Sequence, residues 1–303
     1  MMRIGVLGAG LMGHGIALTF ARAGHAVTVA DPVAGALDAL PGRVAESLRL
    51  MGAADETDAV LARIAAGSLA GAATGADVLF EAAPEKPDLK RALFAEAERH
   101  ASTVCLFASN TSVIRITSIM EVLGRPGRAM GTHWWNPPHM IPLVEVVRAE
   151  RTDTSALDAM EALLREVGKT PVRVEKDVPG FIGNRLQIAL WREALALVDR
   201  GICDADAVDT VVKASFGRRL AVVGPLENVE LIGLDLTLDI LDQVLFDLDT
   251  AGAAPDTLRA HVAAGRTGMT AGEGFRRWTP DQAAAVRARL ARHLDRLDGI
   301  LGD

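Results

Sequence analysis

Apolar and polar positions alternate between two rhythms along the first part of this chain. "RIGVLGAGLMGHGIALTFARAG" opens with a short apolar run, Ile4 to Leu7, then a glycine turn, then helical spacing with Ile16 and Phe20 on one face. "HAVTVAD" is a second strand ending at Asp31, and residues 33–66 read as helix broken near Gly52. "ADVLFEAAPE" gives a third strand and "KPDLKRALFAEAERH" an amphipathic helix. "TVCLFASNTS" is a strand running into a polar loop, and "RAMGTHWW" and "PLVEVV" are strands on either side of an Asn-Pro-Pro turn. "TSALDAMEALLREVG" follows as a helix with a Thr or Ser cap, and "KTPVRVE" as the last strand. Strands alternating with helices predict a parallel sheet covered on both faces.

After "KDVPG" the period-2 signal stops. Helical spacing alone continues through Phe181–Arg200, Asp204–Ser215, Leu226–Leu248, Pro255–Ala264 and Pro280–Leu301. The expected division is therefore residues 1–178 and 179–303, the second part all-helical. A length of 303 residues fits two domains of roughly 150.

Within this framework "GAGLMG" carries chemistry. Gly8, Gly10 and Gly13, with Leu11 and Met12 between the last two, have G-x-G-x-x-G spacing between a strand and a helix. The first glycine permits a tight turn, the second lets backbone approach a pyrophosphate, and the third lets helix pack on strand. Asp31 lies 18 residues beyond Gly13, at the end of the next strand, where a carboxylate accepts from a ribose hydroxyl. It also repels a 2′-phosphate, so NAD is expected over NADP. The first domain is thus a Rossmann-type, doubly wound α/β fold. His14 reads as an ordinary helix residue beside the turn.

Composition narrows the partners. Half the residues are hydrophobic and the formal charge is -7, with no basic stripe to suit nucleic acid. Apolar runs are interrupted well short of the ~20 residues of a membrane span, and the N-terminus lacks a signal-peptide pattern. Cys105 and Cys203 form no CxxC and read as buried small hydrophobes in a reducing, cytoplasmic setting. The seven histidines are scattered without ligand spacing, so no metal is expected. With no tyrosine, a phenol acid is excluded.

His133 and Glu145 flank the Asn-Pro-Pro turn. A histidine that takes a hydroxyl proton needs one tautomer, and a carboxylate on its other nitrogen supplies it. Spacing alone leaves Glu145 open between this role and a strand position facing water.

Five further motifs occur in order: "FASNTS" (Phe107–Ser112), "HWWNPP" (His133–Pro138), "PLVEVV" (Pro142–Val147), "DVPGFIGNR" (Asp177–Arg185) and "GEGF" (Gly272–Phe275). With the glycine loop they resemble the L-3-hydroxyacyl-CoA dehydrogenase family over essentially the whole chain. The resemblance implies an NAD-binding domain, a helical domain that forms a homodimer, and oxidation of an L-3-hydroxyl to the keto form. It implies His133 as general base with Glu145 as its partner, and Ser112 and Asn184 at the substrate oxygen. Glu85, Lys90, Asn110 and Asn136 would contact the cofactor. Each has a plainer reading: Ser112 as cap of a helix starting near Arg115, Asn184 at a helix end, Asn136 in a turn, Lys90 as a solvated helix residue.

Two departures shift the expected substrate. The segment from Gly42 to Asp77 has no lysine, only Arg43, Arg49 and Arg63, and Met269 and Thr270 stand where the family's CoA-handling members carry lysines. The "HWWNPPHMIP" wording resembles the branch acting on small hydroxy acids without CoA, such as L-gulonate 3-dehydrogenase (lambda-crystallin) and carnitine dehydrogenase. In that branch Arg218 and Arg219 would meet a substrate carboxylate, and Trp134 or Trp135 would wall the pocket. The competing expectations are a non-catalytic NAD-binding protein and a hydroxyisobutyrate-type dehydrogenase. Against the latter, "PGFIGNRLQ" lacks a lysine.

Overall fold

A computed structural model describes residues 1–301. Eight strands form one sheet: β1 (Arg3–Leu7), β2 (Ala26–Ala30), β3 (Ile64–Gly67), β4 (Val78–Glu81), β5 (Leu106–Ser109), β6 (Ala129–Trp134), β7 (Leu143–Val147) and β8 (Thr170–Val174), ordered β3-β2-β1-β4-β5-β6-β7-β8. Every pairing is parallel except β6 with β7. The chain runs outward from β1 to β3, then returns to place β4 on the other side of β1. That reversal opens a crevice at the carboxyl ends of β1 and β4, where doubly wound sheets bind ligands.

The helices of this part are α1 (Gly13–Arg22), α2 (Ala34–Asp38), α3 (Leu40–Leu50), α4 (Thr57–Leu61), α5 (Leu69–Ala73), α6 (Pro87–His100), α7 (Ile116–Met120) and α8 (Thr154–Glu166). Alternation along each strand feeds two cores. Ile4, Val6, Val29 and Phe80 pack with Ile16 and Phe20 of α1, Leu48 of α3 and Leu164 of α8. Leu7, Leu79 and Phe107 pack with Ala73 of α5, Phe94 of α6 and Ile119 of α7. Burial on both faces explains why these strands are apolar runs rather than strict alternations. Each fully buried Phe or Leu contributes about 1.5–3 kcal/mol.

Three expectations are corrected here. The stretch 33–66 is helical on either side of a break at Gly52, but its end is not helix: Ile64–Gly67 forms the edge strand β3 on β2. Helix α8 has Asp153, not Thr or Ser, at its N-cap, with no side-chain cap bond. Cys105 is buried but Cys203 only partly, both as free thiols.

Contacts divide the chain into Met1–Arg185 and Leu186–Asp303. The helices continue with α9 (Gly183–Asp199), α10 (Ala205–Ala214), α11 (Pro225–Ile232), α12 (Leu234–Val244), α13 (Asp256–Ala263) and α14 (Pro280–Leu301). The run expected over Leu226–Leu248 is broken at Gly233, whose φ of 107° only glycine adopts readily. Leu226, Leu231, Leu234 and Phe246 of this part are exposed. No helix among the described residues is long and apolar enough to cross a membrane, and no cluster of three metal-ligating side chains occurs among them.

Candidate active site

The glycine turn leads from β1 into α1. Gly8 adopts φ 112°, and a Cβ there would meet the Ala82 carbonyl at 2.7 Å. A Cβ on Gly13 would lie 1.8 Å from the Gly8 oxygen, so the turn closes only on glycine. Around the Gly10 Cβ position there is no atom within 4 Å. The open face is therefore at the second glycine, where a pyrophosphate needs backbone to approach. Met12 stands at the α1 N-cap without a side-chain cap bond, so the helix dipole and first N–H groups face this space. Leu11 is exposed beside it. Asp31 closes the far end: Oδ2 accepts from Ala9 N–H at 2.8 Å and Oδ1 from Val33 N–H at 2.8 Å. A dinucleotide fits this cradle.

His14 does more than its position in the sequence suggested. It is buried, with Nδ1 3.0 Å from the Gly10 carbonyl and Nε2 3.2 Å from Ser47 Oγ. A carbonyl only accepts, so Nδ1 carries the proton and fixes the turn from beneath.

His133 and Glu145 face each other as direct antiparallel partners on β6 and β7. Directly opposed residues share a face, and both are buried, at 4% and 1% exposure. His133 Nδ1 donates to Glu145 Oε2 at 2.6 Å, which leaves Nε2 as the basic nitrogen. The other carboxylate oxygen, Oε1, accepts from the N–H groups of Ile182 and Gly183 at 2.8 and 3.0 Å. Burial works to raise the Glu145 carboxyl, but the His133 hydrogen bond and those two N–H groups outweigh it and hold it below its ordinary value. The carboxylate is thus kept ionised beside the imidazole.

Ser112 and Asn184 join through one bond: Asn184 Nδ2 donates to the Ser112 carbonyl at 2.8 Å. Ser112 does not cap α7. Asp177 does, accepting from Ile116 and Thr117 N–H at 3.0 and 2.7 Å. Ser112, Asn184, His133, Asn110, Asn136 and Glu85 line one cavity of about 320 Å³, with Met12 on its cofactor side. Asn110 Oδ1 also accepts from Trp134 N–H at 3.0 Å. The two tryptophans part ways. Trp134 is buried against Phe20 and Phe80. Trp135 lies 5.3 Å from the His133 ring and fits because Gly183 has no Cβ, which would come within 2.4 Å of the indole.

Lys90 is fully buried, not solvated. Its Nζ donates to Glu81 Oε1 at 2.7 Å and to the Ala83 carbonyl at 3.1 Å, and lies 3.5 Å from Glu85. It does not line the cavity itself but reaches Glu85, which does. Glu85 Oε1 accepts from Thr111 Oγ1 at 2.5 Å and from Ser112 and Val113 N–H at 2.9 and 3.2 Å. Desolvation works to raise the Glu85 carboxyl, but these donors and the Lys90 charge hold it below its ordinary range. Glu81 was missed from the sequence. It is fully buried, takes Lys90 on one oxygen and Ser109 Oγ on the other at 2.7 Å, and ties β4 to β5. An acid ending the apolar run "VLFE" was the available signal. Arg218 and Arg219 are exposed residues of the helical part.

After His133 the turn lands on α1: a Cβ on Gly15 would meet Pro138 Cγ at 2.5 Å and His139 Nδ1 at 2.9 Å. His139 Nδ1 is buried without a hydrogen-bond partner among the described residues. Burial first, then the nearby His14 and Lys169, push its pKa down to about 4. Between about 4 and 6.5 the unfolded chain takes up a proton that the folded one refuses. The His139 contribution is therefore complete above 6.5 and is lost as pH falls toward 4, by at most ~3 kcal/mol. Urea unfolding at pH 7 and pH 5 should show a smaller difference for His139→Asn than for wild type; equal differences would contradict this origin.

Comparisons with known proteins place the chain in a family. The profile of the 3-hydroxyacyl-CoA dehydrogenase NAD-binding domain matches residues 3–178, and that of the family's C-terminal domain residues 180–278. The 5-formyl-3-hydroxy-2-methylpyridine 4-carboxylate 5-dehydrogenase of Mesorhizobium japonicum is 34% identical over 98% of this chain and 97% of its own. A probable 3-hydroxybutyryl-CoA dehydrogenase of Bacillus subtilis is 36% identical over 90% of this chain and 96% of its own. A crystal structure of 5-formyl-3-hydroxy-2-methylpyridine 4-carboxylic acid 5-dehydrogenase, described as an NAD+ dependent dismutase, superposes with a TM-score of 0.93 at 32% identity. It covers 100% of this chain and 99% of that one. The chain belongs to the 3-hydroxyacyl-CoA dehydrogenase family and is an NAD-dependent oxidoreductase of that family.

Proposed function

We propose that the chain oxidises the hydroxyl of a small, CoA-free hydroxy acid to the keto form, with His133 and Glu145 as the base dyad. The observation that carries this reading is the buried 2.6 Å contact of His133 Nδ1 with Glu145 at the cavity wall. Bound NAD supplies the hydride acceptor. His133 Nε2 takes the hydroxyl proton, and Glu145 stabilises the imidazolium that results. Asn184 has a second amide hydrogen beyond the one given to Ser112. With the Ser112 hydroxyl it orients the substrate oxygen and donates to its developing charge in the reverse direction. Asp31, the glycine turn, Asn110, Asn136 and Glu85 receive the cofactor, and Lys90 supports Glu85 from below.

The absence of CoA is supported by where the cations go. Arg49 pairs with Glu46 at 2.7 Å, Arg63 Nη1 donates to the Ala59 carbonyl at 3.0 Å, and Arg43 is turned onto the glycine turn, where it donates to the Ala9 carbonyl at 2.7 Å. A segment with no lysine leaves little charge for the phosphates of CoA. Exposed Leu226, Leu231 and Phe246 support a homodimer through the helical part.

A second reading follows from the pyridine-carboxylate relatives and from Trp135. A hydrated aromatic aldehyde presents the same H–C–O–H unit to His133, and the indole beside the base offers a flat wall for its ring. Its oxidation gives a carboxylic acid. NADH formation is the test, with L-gulonate, carnitine, 3-hydroxybutyrate, 3-hydroxybutyryl-CoA and a formylpyridine carboxylate as candidates. A preference for 3-hydroxybutyryl-CoA would overturn the CoA-free reading. Equal yields of acid and alcohol from the aldehyde with catalytic NAD would select the second. NAD binding without turnover of any of them would leave a binding protein.

A further inference from the structure

We propose that Arg43 is a ligand of the cofactor's pyrophosphate, holding it against the glycine turn from the α3 side. Arg43 Nη1 donates to the Ala9 carbonyl at 2.7 Å. Ala9 stands between Gly8 and Gly10, so this bond tethers the guanidinium at the margin of the open space over Gly10. A guanidinium has five N–H donors in a rigid fork. Among the described residues Arg43 has no carboxylate within ion-pair distance, although Arg49, two turns on in the same helix, is matched to Glu46. Arg43 is exposed, so its remaining donors are open to solvent or ligand.

The face of α3 that carries Arg43 is turned toward the phosphate site. Ser47, one turn further along, bonds His14 in the first turn of α1. The Arg43 charge reaches His14 as well: after burial, it is among the influences that depress that imidazole. Arg43 therefore adds a full positive charge to the partial charge of the α1 N-terminus. The Ala9 peptide is gripped from both sides, its N–H by Asp31 at 2.8 Å and its carbonyl by Arg43. An acid thus flanks the ribose end of the turn and a cation the phosphate end.

Two cofactor groups offer this chemistry, the pyrophosphate and the 2′-phosphate of NADP. The Asp31 carboxylate occupies the approach to a 2′-phosphate and repels it, which favours the pyrophosphate.

The test uses calorimetric titration of the full chain with ADP, adenosine and adenosine 2′,5′-bisphosphate. In Arg43→Gln, ADP affinity should fall about tenfold while adenosine stays within about twofold, since a charged hydrogen bond is lost. The salt dependence of ADP binding should flatten, and Arg43→Lys, which keeps the charge, should recover part of both. The ratio of ADP to adenosine is taken within each variant, so a general loosening of the turn cancels. Parallel loss of ADP and adenosine would make Arg43 a strap for the loop and overturn the proposal. A loss confined to the 2′,5′-bisphosphate, or no loss at all, would also overturn it.

Discussion

Glu145→Gln is expected to lower turnover by roughly 10²–10⁴-fold while NAD affinity stays within about twofold of wild type. The glutamine carbonyl can still accept from Ile182 and Gly183 N–H, so the local backbone is kept. Its amide nitrogen then faces His133 Nδ1 and donates where the carboxylate accepted. His133 is forced into the tautomer with the proton on Nε2, and the nitrogen beside the substrate ceases to be a base. Glu145 acts through His133, so the ¹⁵N shifts of the His133 ring should report the tautomer change directly. Normal turnover, or an unchanged tautomer, would remove the dyad from the mechanism.

Lys90→Met should destabilise the fold by about 3–5 kcal/mol, because it leaves Glu81 as an uncompensated buried charge. Neither side chain has any exposed surface. Glu81 would retain Ser109 Oγ and Ala83 N–H but lose its counter-ion. Urea unfolding measures the loss. Lys90→Met with Glu81→Gln should recover much of it, since the charge left behind is removed as well. A single variant as stable as wild type would show that the pair contributes little. The same substitution releases the Ala83 carbonyl and one neighbour of Glu85, so the loop carrying Ser112 should loosen with it.

The sequence made the parallel sheet, the glycine turn and the helical second part legible because each rests on a local period. It left Glu145 ambiguous because a strand has two faces and spacing does not choose between them. The register of β6 on β7 chooses, by placing the acid opposite His133. The burial of Lys90 was hidden for a related reason. Its helix looks amphipathic with charges outward, yet its partner Glu81 belongs to a strand, and only the packing of α6 beneath β4 brings them together. Strand β3 was hidden because "IAAG" has little strand character of its own and is formed by pairing with β2. The Thr111–Ser112 loop was readable as polar. That Glu85 holds it through two main-chain N–H groups was not, because those donors carry no side-chain signature.

The bonds that Asn184 and Glu145 make to main chain bear on redesign. Asn184 holds the Ser112 carbonyl, Glu145 holds the N–H groups of residues 182 and 183, and Glu85 holds Ser112 from the other side. Substitutions at these positions share partners, so their effects will not add, and a library that varies them together will be dominated by broken scaffolds. Trp135 lines the same cavity and takes no part in those bonds. It is the position at which substrate preference can be varied without disturbing them.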